Sequence, residues 1–398
     1  MVARLISRRK RPVANFSEAD LYGNPYPVYR QLRAEKPVAY APDLRHMASR
    51  PDAYWLVTRW GDVEAVLKDD ETYGSPLAPA DLPPTLAGSL LYANNREHAE
   101  IRSAMQPVCQ PRRAGAFAEE VVLPLVDTLL DELEPLGEVD LIDSFFEPLA
   151  ATTVAAYLGL EDVPTAELRE WFDHLGLYFT GQPVPRLAAP VNKAIDAALL
   201  AALRRADGHA IAPLLSAMGG AGLNETQLLA NAKMFAAAGM HELSDLLAHA
   251  LIGLVSRPDQ LAELRDDRSL AKPALEEAAR WGSPVGMVPR LTASATELAG
   301  VRIPAGAYVA AVIASANRDE RRWTDASTFD LHRDEGMHLA FASGVHFCLG
   351  AWIVRAAGAV TLGRLVERLP KLRLQPGDPL IVTGWRFRDV RRLAAVWS

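Results

Sequence analysis

The sequence predicts a mainly α-helical fold with small β-sheets, built as one large body. Three observations carry that prediction. Apolar residues recur mostly at helical spacing. Alternating, β-branched segments are few and short. The 398 residues, 49% of them apolar, suffice for a large core, and no low-complexity tract, internal repeat or Pro/Gly-rich linker divides them. Residues 1–398 therefore read as a single domain.

Along the chain, MVARLISRRKRP is basic and acid-poor, but its apolar stretch is too short for a signal segment or a membrane span. Residues 1–15 read as a flexible basic arm. AYWLVTRW, residues 53–60, is the first strand candidate. AFAEEVVLPLVDTLLDELEPLG (116–137) and LREWFDHLGLYF (168–179) return to helical periodicity. The longest helix begins after Asn224, whose side chain caps it while Gln227 completes a capping box, and runs to about Val255 before Pro258 stops it. About thirty residues at about 1.5 Å each span about 45 Å, enough to cross the molecule. Apolar around most of its circumference, this helix belongs at the centre. VRIPAGAYVAAVIASAN (301–317) and KLRLQPGDPLIVTGWRFRDVRRLAAVW (371–397) supply further strands, so a small mixed sheet is expected to join distant ends of the chain.

A net charge of −7 argues against whole-surface attraction to nucleic acid. Two cysteines, Cys109 and Cys348, cannot make a disulfide framework, which fits a reducing, cytoplasmic setting.

Cys348 stands in FASGVHFCLG, residues 341–350, just before the helical pattern LGAWIVRAAGAVTLGRLVERL. A cysteine at a helix start is expected to have a lowered pKa from the first-turn amides. Gly344 and Gly350 permit a tight loop and close approach to something flat. Three readings compete. A buried structural cysteine is the commonest fate of a free cysteine. Zinc fits poorly, because Cys109 is the only other thiol and no paired spacing exists. The third reading is a thiolate ligand to haem iron.

FASGVHFCLG resembles the haem-binding loop of the cytochromes P-450, with Ala342 where that family usually has a second glycine. The resemblance extends over nearly the whole chain. Glu277 and Arg280 match the family's Glu-x-x-Arg pair and Arg333 its third member, all structural. The resemblance implies haem b buried between the long central helix and the helix after Cys348. Cys348 would bind the iron, with Phe341, Gly344 and Gly350 shaping its loop. His98, Arg102, Arg290 and His346 match the propionate partners, and Ala238 and Gly239 the groove for O2. Each of these has a bland alternative as a surface charge or a core histidine; their joint occurrence in the expected order favours the site.

One motif departs from the family. Where relatives carry an acid followed by threonine, this chain has AAAGMHELSD, with His241 at the acid position and Glu242 at the threonine position. A shifted register puts Glu242 at the acid position and loses the glycine. Either Glu242 and His241 act as substitute proton donors or grip a polar substrate group, or protons arrive through water and His241 faces outward.

By resemblance the chain is a monooxygenase-type oxidoreductase acting on a small hydrophobic metabolite, aromatic ones included, in secondary-metabolite biosynthesis. The alternatives are oxidative C–C, C–N or C–O coupling or cyclisation without oxygen insertion, and a non-catalytic haem-based ligand binder. A separate ferredoxin and ferredoxin reductase with NAD(P)H would supply electrons, with Arg102, Arg112, Arg113 and Arg355 as a docking face. The expected protein is a cytoplasmic monomer without nucleic-acid or membrane partners. Gly286 and Met287 are expected to leave room above the haem.

Overall fold

The long central helix, α5, runs Glu225–Val255 in a computed structural model that describes residues 12–45, 53–75, 84–180, 188–205 and 213–397. Its start is the capping box read from the sequence. The Gln227 N–H donates to Asn224 Oδ1 at 2.9 Å, and the Asn224 N–H donates to Gln227 Oε1 at 3.3 Å. Leucine and alanine line nearly every side of its second half, so it has no solvent face there and must sit inside a helical shell.

Four helices form much of that shell: α2 (Glu147–Leu158), α3 (Thr165–Thr180), α6 (Ala271–Gly282) and α7 (Ala351–Arg368). Two more concern the site or its surroundings, α1 (Asn95–Met105) and α4 (Ala188–Arg205). Their apolar faces meet in one large core cluster. No helix among the described residues is long and apolar enough to cross a membrane.

Beside the helices lies a mixed five-stranded sheet. Its order is β1 (Val38–Arg45), β2 (Ala53–Val57), β5 (Tyr308–Ala311), β4 (Val288–Thr292) and β3 (Tyr73–Gly74). The β2–β5 pair is parallel, Tyr54 opposite Tyr308, so residues some 250 apart in sequence share one sheet as expected. The C-terminal strands do not join it. Residues 394–396 pair with 138–140 and 373–374, while β6 (Ile381–Thr383) and β7 (Asp389–Arg392) form a separate hairpin. Strand pattern revealed their existence but not their partner, because residues 394–396 pair with a segment far away in sequence, 138–140. Of the N-terminal arm, residues 1–11 lie outside the described residues. Residues 12–14 run along β1, where Ala14 N–H donates to the Tyr40 carbonyl and Tyr40 N–H to that of Pro12, each at 2.8 Å.

Behind α5 the buried Glu277 carboxylate receives Arg280 at 2.6 and 2.7 Å and Arg333 at 3.2 Å. Arg280 spends its remaining donors on the carbonyls of Asn317, Ala326 and Thr328. Every charge is paired and hydrogen-bonded, the condition for ions to be tolerated inside.

Candidate active site

The Cys348 loop is a tight turn laid against the start of α7. Cys348 N–H donates to the Phe341 carbonyl at 2.9 Å and Phe347 N–H to that of Gly344 at 3.1 Å. Gly344 has φ +73°, and a Cβ there would stand 2.7 Å from the Leu67 carbonyl oxygen, so conformation and space both demand glycine. Ala342 also sits in the left-handed region, φ +59°, at a cost of about 1–2 kcal/mol that glycine would avoid.

The Cys348 thiol does not behave as its position before a helix suggests. Burial pushes it up to about 11, and the Gly350 N–H offsets this only in part. Desolvation of a thiolate outweighs the first-turn amides, so ionisation needs a stronger positive charge than the chain provides.

On α5, Ala238 is exposed among buried and half-buried neighbours. Glu242 lies one turn on and shares its face. Its Oε2 is shut off from solvent and has no hydrogen-bond partner among the described residues. Burial raises this carboxyl to about 8, helped by Asp389, so it carries a proton at neutral pH. It lies within electrostatic reach of Cys348. Asp245, which accepts the Val390 N–H at 2.8 Å, and Asp389 are also raised by burial.

Two expectations on this helix are corrected. Gly239 is not part of the groove: a Cβ there would stand 2.6 Å from Val154 Cγ2, so its missing side chain lets α5 and α2 approach. His241 does not join Glu242 as a second acid. Successive helical residues diverge by about 100°, and its ring is turned to α3, with Nε2 3.3 Å from Asp173 Oδ1 and against Gly176.

The four expected anion partners converge from three parts of the chain: His98 and Arg102 from α1, Arg290 from β4, His346 from the loop. The two imidazole centroids are 4.3 Å apart. Burial first, then Arg290, His98 and Arg102, pushes His346 down to about 3. Burial lowers Arg290 to about 10, with Asp70 opposing, and His98 Nε2 is buried without a hydrogen-bond partner among the described residues. A buried group of cations and an orphaned donor calls for a bound anion. The donor set, the tight cysteine turn and the open Ala238 face together fit a flat, carboxylate-bearing, thiolate-ligated group.

A family profile described as Cytochrome P450 matches residues 191–381. The chain is 33% identical over 358 residues to Cytochrome P450 107B1 of Saccharopolyspora erythraea, covering 85% of this chain and 87% of that one. It is 32% identical to Cytochrome P450 monooxygenase PikC of Streptomyces venezuelae, covering 95% and 92%. The chain belongs to the cytochrome P450 family. Among solved structures, ligand-free Cytochrome P450 TbtJ1 is similar with a TM-score of 0.83 at 28% identity, covering 98% of this chain and all of that one. Membership makes the protein a P450 oxidoreductase and implies haem-thiolate iron.

In this P450 some expected pocket features change. Gly286 leaves no room above the site, since a Cβ there would stand 2.3 Å from the Trp385 carbonyl oxygen; the residue packs on the C-terminal turn with Met287 buried beside it. By the family resemblance, residues 75–95 and 176–190 are also expected to line the pocket; within them 76–83 and 181–187 lie outside the described residues. Arg355 is no free docking charge, being held by Glu276 at 2.6 and 2.9 Å. That pair has no local signal, because Glu276 and Arg355 belong to different helices.

Proposed function

We propose that this P450 holds haem through Cys348 and inserts oxygen into a small hydrophobic metabolite of secondary metabolism. When bound, such a haem supplies reductive cleavage of dioxygen and transfer of one oxygen atom to carbon. His98, Arg102, Arg290 and His346 bind its propionates, exchanging the cost of four desolvated donors for charge-assisted hydrogen bonds. Ala238 leaves the cleft wall open for a flat ring. Glu242 keeps a proton on a carboxyl facing the cleft, and Asp389 nearby disfavours its loss. The observation that carries the reading is the buried Glu242 carboxyl, whose Oε2 meets no hydrogen-bond partner among the described residues, one helical turn from Ala238 and within reach of Cys348. Delivery of that proton at Oε2 replaces the hydroxyl relay of relatives. His241 orients α5 against α3 and takes no part in transfer.

Electrons come from a separate ferredoxin and its NAD(P)H-dependent reductase. Arg112 and Arg113, both exposed, offer charge to an acidic partner. The name of PikC, a monooxygenase, supports oxygen insertion over coupling. Turnover with ferredoxin, reductase and NAD(P)H under heavy-isotope dioxygen tests this. One labelled oxygen per product is expected. An unlabelled product equal to two joined molecules less two hydrogens would establish coupling, an unlabelled ring-closed product lighter by two hydrogens cyclisation, and substrate binding without turnover a ligand-binding role.

A further inference from the structure

The stretch leading into the cysteine loop is pinned to two helices by a polar cluster outside the propionate site. Arg355, in the first turns of α7, gives Nε to Glu276 Oε1 at 2.6 Å and Nη2 to Oε2 at 2.9 Å. His338 Nε2 lies 3.1 Å from the same Oε2. His338 Nδ1 accepts the Ala340 N–H at 3.1 Å, so the neutral ring carries its hydrogen on Nε2 and donates it to Glu276. The guanidinium lies flat over Phe341, with Cζ 4.2 Å from the ring centroid, and 5.0 Å from that of Trp352. Phe341 in turn accepts the Cys348 N–H at 2.9 Å. A continuous series of contacts thus joins Glu276 on α6 to the cysteine on the far side of the loop.

Two properties of the cluster go beyond holding helices together. Its fork is bidentate and planar, so it fixes a direction as well as a distance. Its charge is balanced: burial would raise Glu276, but hydrogen bonds from His338 and Arg355 outweigh that and hold it down to about 2, so a carboxylate always faces the guanidinium.

We infer that Glu276, His338 and Arg355 are positioning residues for Cys348: the Arg355 fork fixes Phe341 and its bond to the Cys348 N–H, and Glu276 holds the Arg355 charge within electrostatic reach of the sulfur. This rests on Cys348 being the iron ligand. Removing the carboxylate leaves an uncompensated cation that favours the added electron of the reduced iron; removing the cation does the reverse.

The test uses the haem-loaded full chain and reads the ferric/ferrous midpoint potential and the ferrous carbonyl Soret band. Glu276→Gln is expected to raise, and Arg355→Gln to lower, the one-electron reduction constant by about threefold or more. The double variant is expected to fall between the wild type and Arg355→Gln in potential while losing the thiolate carbonyl band faster than the wild type. Arg355→Lys, a milder change that keeps the charge without the planar fork, is expected to hold the potential and lose the band partly. Single variants that leave the potential unmoved, or shift it in the same direction, overturn the proposal. A wild type without the thiolate carbonyl band overturns the Cys348 reading instead.

Discussion

At the residue scale, the buried carboxyl of Glu242 has the most consequence. Its raised value, about 8 against an ordinary 4.5, means that between these pH values the folded chain holds a proton the unfolded chain has released. The contribution of this group to stability is therefore greatest at low pH and is lost progressively as pH rises from about 4.5 to about 8. Glu242→Gln removes that slope. The variant is expected to gain thermal stability over the wild type as pH increases, on the order of a few kcal/mol at pH 8.5, while product per NAD(P)H consumed falls severalfold. Melting curves at pH 5 and pH 8.5 with product counting check both. An unchanged yield per NAD(P)H would remove Glu242 from proton delivery. The sequence exposed Glu242 and His241 as a departure from the family, but their division of labour depends on which way each side chain leaves α5.

At the element scale, α5 and α2 approach so closely that a methyl group does not fit between them. Gly239→Ala would place Cβ 2.6 Å from Val154 Cγ2, and overpacking of this kind costs about 1–3 kcal/mol. Val154→Ala in the same chain should return most of that loss, since it removes the colliding methyl. Urea unfolding of the single and double variants measures it. If Gly239 instead serves the cleft, the second substitution restores nothing. The span of α5 was legible because capping, periodicity and the Pro258 stop are local. The face on which its glycine matters was not, because it depends on a residue 85 positions earlier.

For the whole molecule, the buried Glu277–Arg280–Arg333 cluster ties α6 to the segment that leads into the cysteine loop. Glu277→Gln leaves the fully buried Arg280 without its counter-ion, and Arg333 with Glu335 alone. Breaking a buried ion pair in this way costs about 3–5 kcal/mol. The expected outcome is a chain that folds poorly at growth temperature and retains little haem; the ratio of Soret to protein absorbance after purification reads it. A normal ratio and melting temperature would mean that the cluster is dispensable.

By itself the sequence determined the helical class, the span of the central helix, the strand candidates, the cysteine turn and the set of residues suited to a haem site. Each of these is written in short-range spacing, in turn glycines, or in a motif whose members keep their order. Only the tertiary structure decided the rest: that burial pushes the Cys348 thiol up, that His241 turns to Asp173 while Glu242 Oε2 is buried, that the C-terminal strands form their own sheets, and that Arg355 is bound to Glu276. The physical reason is common to all four. Desolvation, facing and partner choice depend on atoms brought together across tens or hundreds of residues, and no local pattern encodes how deeply a group is buried or what it meets there.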